Sequence, residues 1–71
     1  MSMEVKYVGI GGSGVDYPCY EDDNGRLYFD TNFGRGNLDL HTGAYMDEFG
    51  DICGEPDRRV KDKVMLMIKR S

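Results

Sequence analysis

Seventy-one residues, 39% of them hydrophobic, make one small core with little stability to spare, which argues against a large buried catalytic cleft. The net charge of −4 conceals two segments of opposite sign: residues 1–57 hold three basic against twelve acidic side chains, or −9, and residues 58–71 hold six against one, or +5. No apolar run is long enough to span a bilayer, and MSMEVKYVGIGG lacks the basic start and apolar core of a signal peptide, so a cytoplasmic protein without membrane association is expected.

Met3 to Ile10 alternates Met3, Val5, Tyr7 and Gly9 on one side with Glu4, Lys6, Val8 and Ile10 on the other, the pattern of a strand. Gly11 to Gly14 then reads as a flexible loop leading through Asp16 to a β-hairpin over Pro18 to Thr31. In the hairpin, Cys19–Asp22 and Arg26–Asp30 flank the turn residues Asp23-Asn24-Gly25. Two registers are open. A two-residue turn at Asn24-Gly25 pairs Asp22 with Leu27 and places Tyr20, Asp22, Leu27 and Phe29 on one mixed face. A type I turn with Gly25 as the left-handed bulge residue pairs Asp22 with Arg26, Glu21 with Leu27, Tyr20 with Tyr28 and Cys19 with Phe29. The second register is expected, because it gathers Cys19, Leu27 and Phe29 on the buried face and leaves Tyr20 and Tyr28 on the outer one.

Beyond Thr31 the segment NFGRGN is irregular, and Leu38 and Leu40 then alternate with Asp39 and His41 in a short strand. His41-Thr42-Gly43 is expected to turn, with Ala44–Met46 returning as a second hairpin. Asp47 to Asp57 packs five acids, two glycines and a proline into eleven residues and reads as a loop anchored by Phe49 and Ile52. The last segment, RRVKDKVMLMIKRS, fits either a helix or a strand; a strand from about Lys63 to Lys69 is expected from the short apolar run and its flanking charges. The fold class is therefore mainly β: a small antiparallel sheet or partly open barrel of four to six strands forming a single domain, with little or no helix. Its expected core is Val5, Tyr7, Leu27, Phe29, Leu38, Leu40, Leu66 and Ile68.

The chemistry-bearing patterns are weak. Gly9-Ile10-Gly11-Gly12-Ser13-Gly14 matches G-x-G-x-x-G, but no helix follows and Asp16 would repel phosphate, so no dinucleotide is expected. The Asp22-Asp23-Asn24-Gly25 tip lacks the first and twelfth ligands of a calcium loop. Cys19, Cys53 and His41 have no metal-ligand or nucleophile spacing, and the cysteines are expected as free, partly buried thiols. No catalytic residue, metal or cofactor is therefore expected. Tyr7, Tyr17, Tyr20, Tyr28, Tyr45, Phe29 and Phe33 could stack bases, but the −9 region opposes a phosphate backbone, and packing is their simpler role.

The string PCYEDDNGRLYFDTN, followed by Gly54-Glu55-Pro56-Asp57, resembles a pattern in short uncharacterised proteins and polyvalent-protein-associated modules of bacterial mobile elements. The resemblance covers about a third of the chain. It implies a small accessory domain and brings over no catalytic residue.

The functional expectation is a non-enzymatic interaction module whose partner is another protein. Its expected surface joins Tyr20 and Tyr28 with the acidic turn that holds Asp47, Glu48 and Asp51; edge-strand pairing is a further mode. The alternative is nucleic-acid binding through Arg58, Arg59, Lys61 and Lys63, or an acidic surface that imitates nucleic acid.

Overall fold

A computed structural model describes residues 2–61 and 63–66. Six strands form one open sheet: β1 (Ser2–Gly11), β2 (Tyr17–Asp22), β3 (Leu27–Asp30), β4 (Leu40–Met46), β5 (Ile52–Gly54) and β6 (Lys63–Leu66), in the order β5-β4-β3-β2-β1-β6. The first five run as an antiparallel meander, and β6 returns to the far edge to lie parallel to Ser2–Val5 of β1. The described residues contain no helix, and so none that could cross a membrane. The all-β, mainly antiparallel expectation holds.

The first hairpin takes the bulged register, with Cys19 opposite Phe29, Tyr20 opposite Tyr28 and Glu21 opposite Leu27. Asp22 N–H donates to the Arg26 carbonyl at 3.0 Å and Gly25 N–H donates to the Asp22 carbonyl at 3.1 Å. Gly25 has φ 81°, which a side-chain-bearing residue rarely adopts, and this sets the bulge.

Burial departs from expectation, because both faces of the sheet are covered. One face gathers Val5, Tyr20, Tyr28 and Leu40, with Met3, Leu38, Val60 and Val64 packed against them. The other gathers Cys19, Phe29 and Ile52, with Val8, Tyr17, Leu27 and Ala44. Tyr20 and Tyr28 are therefore buried, at 8% and 6% exposure, where an outward-facing pair was expected. The reason lies outside the hairpin. Residues 57–60 come back along β4, with Thr42 N–H donating to the Arg58 carbonyl and Val60 N–H to the Leu40 carbonyl, both at 2.8 Å, and the chain then runs on to β6 at the opposite edge. Val60 and Val64, on either side of this crossing, pack against the tyrosine face.

Three further corrections concern the strands. The predicted turn at His41-Thr42-Gly43 is instead the middle of β4, which runs on as a bulged strand: Leu27 pairs with Ala44 but Phe29 with His41, so β4 carries one extra residue there. Backbones crowd at Gly43 (φ 107°) and Gly54 (φ 109°): a Cβ on Gly43 would come within 2.1 Å of the Glu55 carbonyl oxygen, and one on Gly54 within 2.1 Å of the Gly43 carbonyl oxygen. The expected acidic loop contains β5, anchored by buried Ile52, whereas the other expected anchor, Phe49, is 81% exposed. The glycine loop is held in place. Gly12 N–H donates to the Ile52 carbonyl at 2.9 Å and Ser13 N–H to the Gly54 carbonyl at 2.8 Å, so the end of β1 curls to meet β5.

Of the expected core, Val5, Phe29 and Leu40 are fully buried and Leu27 and Leu38 partly so, but Tyr7 is 57% exposed and rests edge-on against Tyr20. The Leu66 side chain and Ile68, with the expected strand continuation to Lys69, lie outside the described residues.

The turn from β3 to β4 is organised by one buried charge. Asp30 is fully buried, and its carboxylate accepts backbone N–H bonds from Asn32 at 2.9 Å, Gly34 at 2.8 Å and Asp39 at 3.0 Å. Asp30→Ala strands those three donors, so unfolding in urea should show a loss of about 3 kcal/mol. A loss below about 1 kcal/mol would mean that the carboxylate does not hold the loop.

Candidate interaction surface

The β4–β5 hairpin ends in a turn with the same wiring as the first hairpin. Asp47 Oδ1 accepts the N–H groups of Phe49 and Asp51, each at 2.9 Å, as Asp22 Oδ1 accepts those of Asn24 and Arg26 at 2.9 Å. Asp47 N–H donates to the Asp51 carbonyl and Gly50 N–H donates to the Asp47 carbonyl, at 2.8 and 3.2 Å. Gly50, with φ 84°, stands where Gly25 stands in the first turn. The aspartate is thus a structural cap as much as a surface charge.

The two capping carboxylates differ in their remaining partners. Asp22 Oδ2 accepts the Tyr28 hydroxyl at 2.8 Å. Partial desolvation would raise the Asp22 pKa, but the bonds from Arg26 N–H, the Tyr28 hydroxyl and Asn24 N–H, together with the Arg26 charge, hold it below the usual 3.8. Asp47 is also held below 3.8, chiefly by the Asp51 N–H acting against desolvation, with Phe49 N–H and the Cys53 thiol adding to it. That thiol donates to Asp47 Oδ2 at 3.5 Å.

The capped turn presents Glu48, Phe49 and Asp51 to solvent, while Asp47 itself is half-buried. Beside it, Tyr45 and Met46 are 57% and 55% exposed. They line the end of an open groove of about 460 Å³ that runs along β4 past Ala44 to Leu27 on β3 and Arg26 in the turn before it. Exposed apolar groups and acids thus share one hairpin end.

The other expected site residues separate from this surface. Tyr20 and Tyr28 belong to the buried tyrosine face and cannot form its centre. Arg58, Arg59 and Lys61 are exposed on the segment that borders the first half of β4. Arg59 Nε stands 3.1 Å from Asp39 Oδ1, and Asp39 Oδ2 accepts the Thr31 hydroxyl at 2.9 Å. Part of the basic segment is therefore neutralised within the domain, although a pair as exposed as this contributes little stability. The Lys63 side chain lies outside the described residues. Tyr45 and Met46 were expected in a returning strand, with Tyr45 among the aromatics, and not on this surface; the repeated spacing Asp-x-x-Gly at Asp22–Gly25 and Asp47–Gly50 was the available signal that a hairpin ends beside them.

Cys19, Cys53 and His41 have separate partners. The Cys19 thiol donates to the Tyr17 carbonyl at 3.3 Å, and burial pushes its pKa from 9.0 up to about 11. Burial and then Asp47 push the Cys53 thiol up as well. Neither has the lowered pKa of a nucleophile. His41 Nδ1 lies 3.1 Å from the Asp39 carbonyl. Among the described residues, no three His, Cys, Asp or Glu side chains are grouped so as to hold a metal ion. In comparisons with protein-family models, curated proteins and solved structures, no match to this chain is found.

The lowered carboxylates dictate a pH response. A group whose folded pKa lies below its unfolded value of 3.8 contributes stability above that value and loses it as pH falls through the folded one. Thermal midpoints should lose the contribution of these two caps only below about pH 4, and Asp22→Asn and Asp47→Asn should each shallow that acid limb. An unchanged limb in both variants would remove these caps from the account.

Proposed function

We propose that this domain is a non-enzymatic interaction module that binds another protein through the acidic, aromatic end of its β4–β5 hairpin. The observation that carries the reading is Phe49, 81% exposed at the tip of a turn whose backbone is fixed by the Asp47 carboxylate. A solvated phenyl ring gains most when an apolar pocket receives it. Glu48 and Asp51 stand beside it, so the receiving pocket would carry a basic rim. Tyr45 and Met46 extend the contact along β4, and the rigid turn limits the ordering entropy that binding costs. The sequence resemblance to accessory modules of mobile elements agrees with such a role.

Nucleic-acid contact through Arg58, Arg59, Lys61 and Lys63 has less support, because Arg59 is already paired with Asp39. Acids outnumber bases around the remaining surface, which disfavours a phosphate backbone.

Affinity capture from cell extract followed by variants at the tip tests the reading. Phe49→Ser should reduce recovery of the bound protein by about tenfold or more, and the Glu48→Lys, Asp51→Lys double variant should slow association most strongly at low salt. Unfolding free energies should stay within the range that surface substitutions produce, about 0.5 kcal/mol. A specific partner retained at full strength by both variants would place the contact elsewhere.

A further inference from the structure

Of the three asparagines, Asn24 alone precedes a glycine; Asn32 and Asn37 are followed by Phe33 and Leu38. An asparagine before glycine has an electrophile and a nucleophile side by side. The Gly25 amide nitrogen, unshielded by any side chain, can attack the Asn24 side-chain carbonyl carbon. The N–Cγ bond forms, the Cγ–Nδ2 bond breaks, and ammonia leaves with the proton of the attacking amide, which gives a cyclic succinimide. Water then opens the ring at either carbonyl, leaving aspartate or isoaspartate.

Asn24 and Gly25 are both exposed, so solvent access does not restrain this reaction. The wiring of the turn does. Gly25 N–H, the nucleophile, donates to the Asp22 carbonyl at 3.1 Å, and it must give up that bond before its nitrogen can reach Cγ. Asp22 Oδ1 holds the residues on both sides, accepting the N–H groups of Asn24 and Arg26 at 2.9 Å each. Asp22 Oδ2 accepts the hydroxyl of buried Tyr28 at 2.8 Å, which fastens the cap to the tyrosine face. Despite partial desolvation, these bonds and the Arg26 charge hold the Asp22 carboxyl below 3.8, so the cap stays charged in the neutral and basic range where amide nitrogens become reactive.

The second Asp-capped turn lacks the chemistry. Phe49 stands before Gly50 as Asn24 stands before Gly25, and a phenyl ring has no carbonyl to attack. In the first turn the product would change the main chain. Isoaspartate routes the backbone through the side-chain carbons, which adds one atom between the two N–H groups that Asp22 Oδ1 holds together. A turn whose register is set by a single bulge residue is sensitive to that length.

We propose that Asn24 is a latent site of deamidation through a succinimide, and that the Asp22 cap keeps it closed in the folded domain. The site is independent of the contact at the β4–β5 hairpin end.

Incubation of the whole protein at mildly alkaline pH, followed by mass spectrometry of the tryptic peptide Tyr7–Arg26, tests this, because Asn24 is the sole asparagine in that peptide. Folded protein should convert at least about tenfold more slowly than the same protein unfolded in guanidinium chloride at equal pH, since the reaction waits for the turn to open. Asp22→Ala should recover much of the unfolded rate, and Asp22→Ser, whose hydroxyl can accept the same N–H groups more weakly, should fall between. Circular dichroism shows which variants are folded; if Asp22→Ala is not, the Asp22→Ser rate decides. The proposal is overturned by a folded rate equal to the unfolded one, by folded cap variants that convert no faster than the parent, or by no conversion at Asn24 even in the unfolded chain.

Discussion

The fold depends most on a single buried carboxylate. Asp30 ends β3 with no solvent exposure, and its oxygens satisfy three backbone N–H groups of the following loop. A charge in that position is tolerable because every bond it accepts is charge-assisted. The bond from Asp39 N–H fixes where β4 begins, which places Leu40 under the tyrosine face. The bond from Gly34 and the Asp30 carbonyl hold Phe33 in a left-handed conformation, φ 54°, with its ring stacked on Tyr17. One side chain thus links sheet register, core and surface.

A small chain covers two faces of one sheet by spending its ends on the task. On one face, β1 curls past its bulge until Gly12 and Ser13 bond to β5, closing over Cys19, Phe29 and Ile52. On the other, the chain after β5 doubles back along β4 and continues to β6, and Val60 and Val64 close over Val5, Tyr20, Tyr28 and Leu40. Close backbone contact at Gly43 and Gly54 permits this doubling back. With both faces occupied, the large apolar groups among the described residues that remain exposed are Tyr45, Met46 and Phe49 at the β4–β5 hairpin end, Val15 and Phe33 on the loops beside Tyr17, and Tyr7 and Ile10 on β1.

Legibility followed locality. The first hairpin could be read to the residue because its register is decided within a dozen positions by turn chemistry and alternation. The continuous β4 could not. His41-Thr42-Gly43 has the composition of a turn, and only its long-range pairing, with β3 across a bulge and with Asp57 and Arg58 through Thr42, makes it the middle of a strand. The candidate surface was half legible: the acids at Asp47, Glu48 and Asp51 were found as a charged turn, but Phe49 was expected to anchor inward, and Tyr45 and Met46 were read as part of a strand rather than as part of this surface. Composition alone does not say on which side of a turn an aromatic residue falls.

From the sequence alone came the all-β class, the Gly25 bulge, the pairing of Cys19 with Phe29 and of Tyr20 with Tyr28, and the segregation of charge along the chain. Tertiary structure alone decided that the tyrosines go inside, that Tyr7 and Phe49 go outside, and that Arg59 meets Asp39. The physical reason is that alternation sorts side chains onto two faces without saying which face is covered. Cover for Tyr20 and Tyr28 comes in part from Val60 and Val64, more than thirty residues away, and its placement is a property of the whole chain.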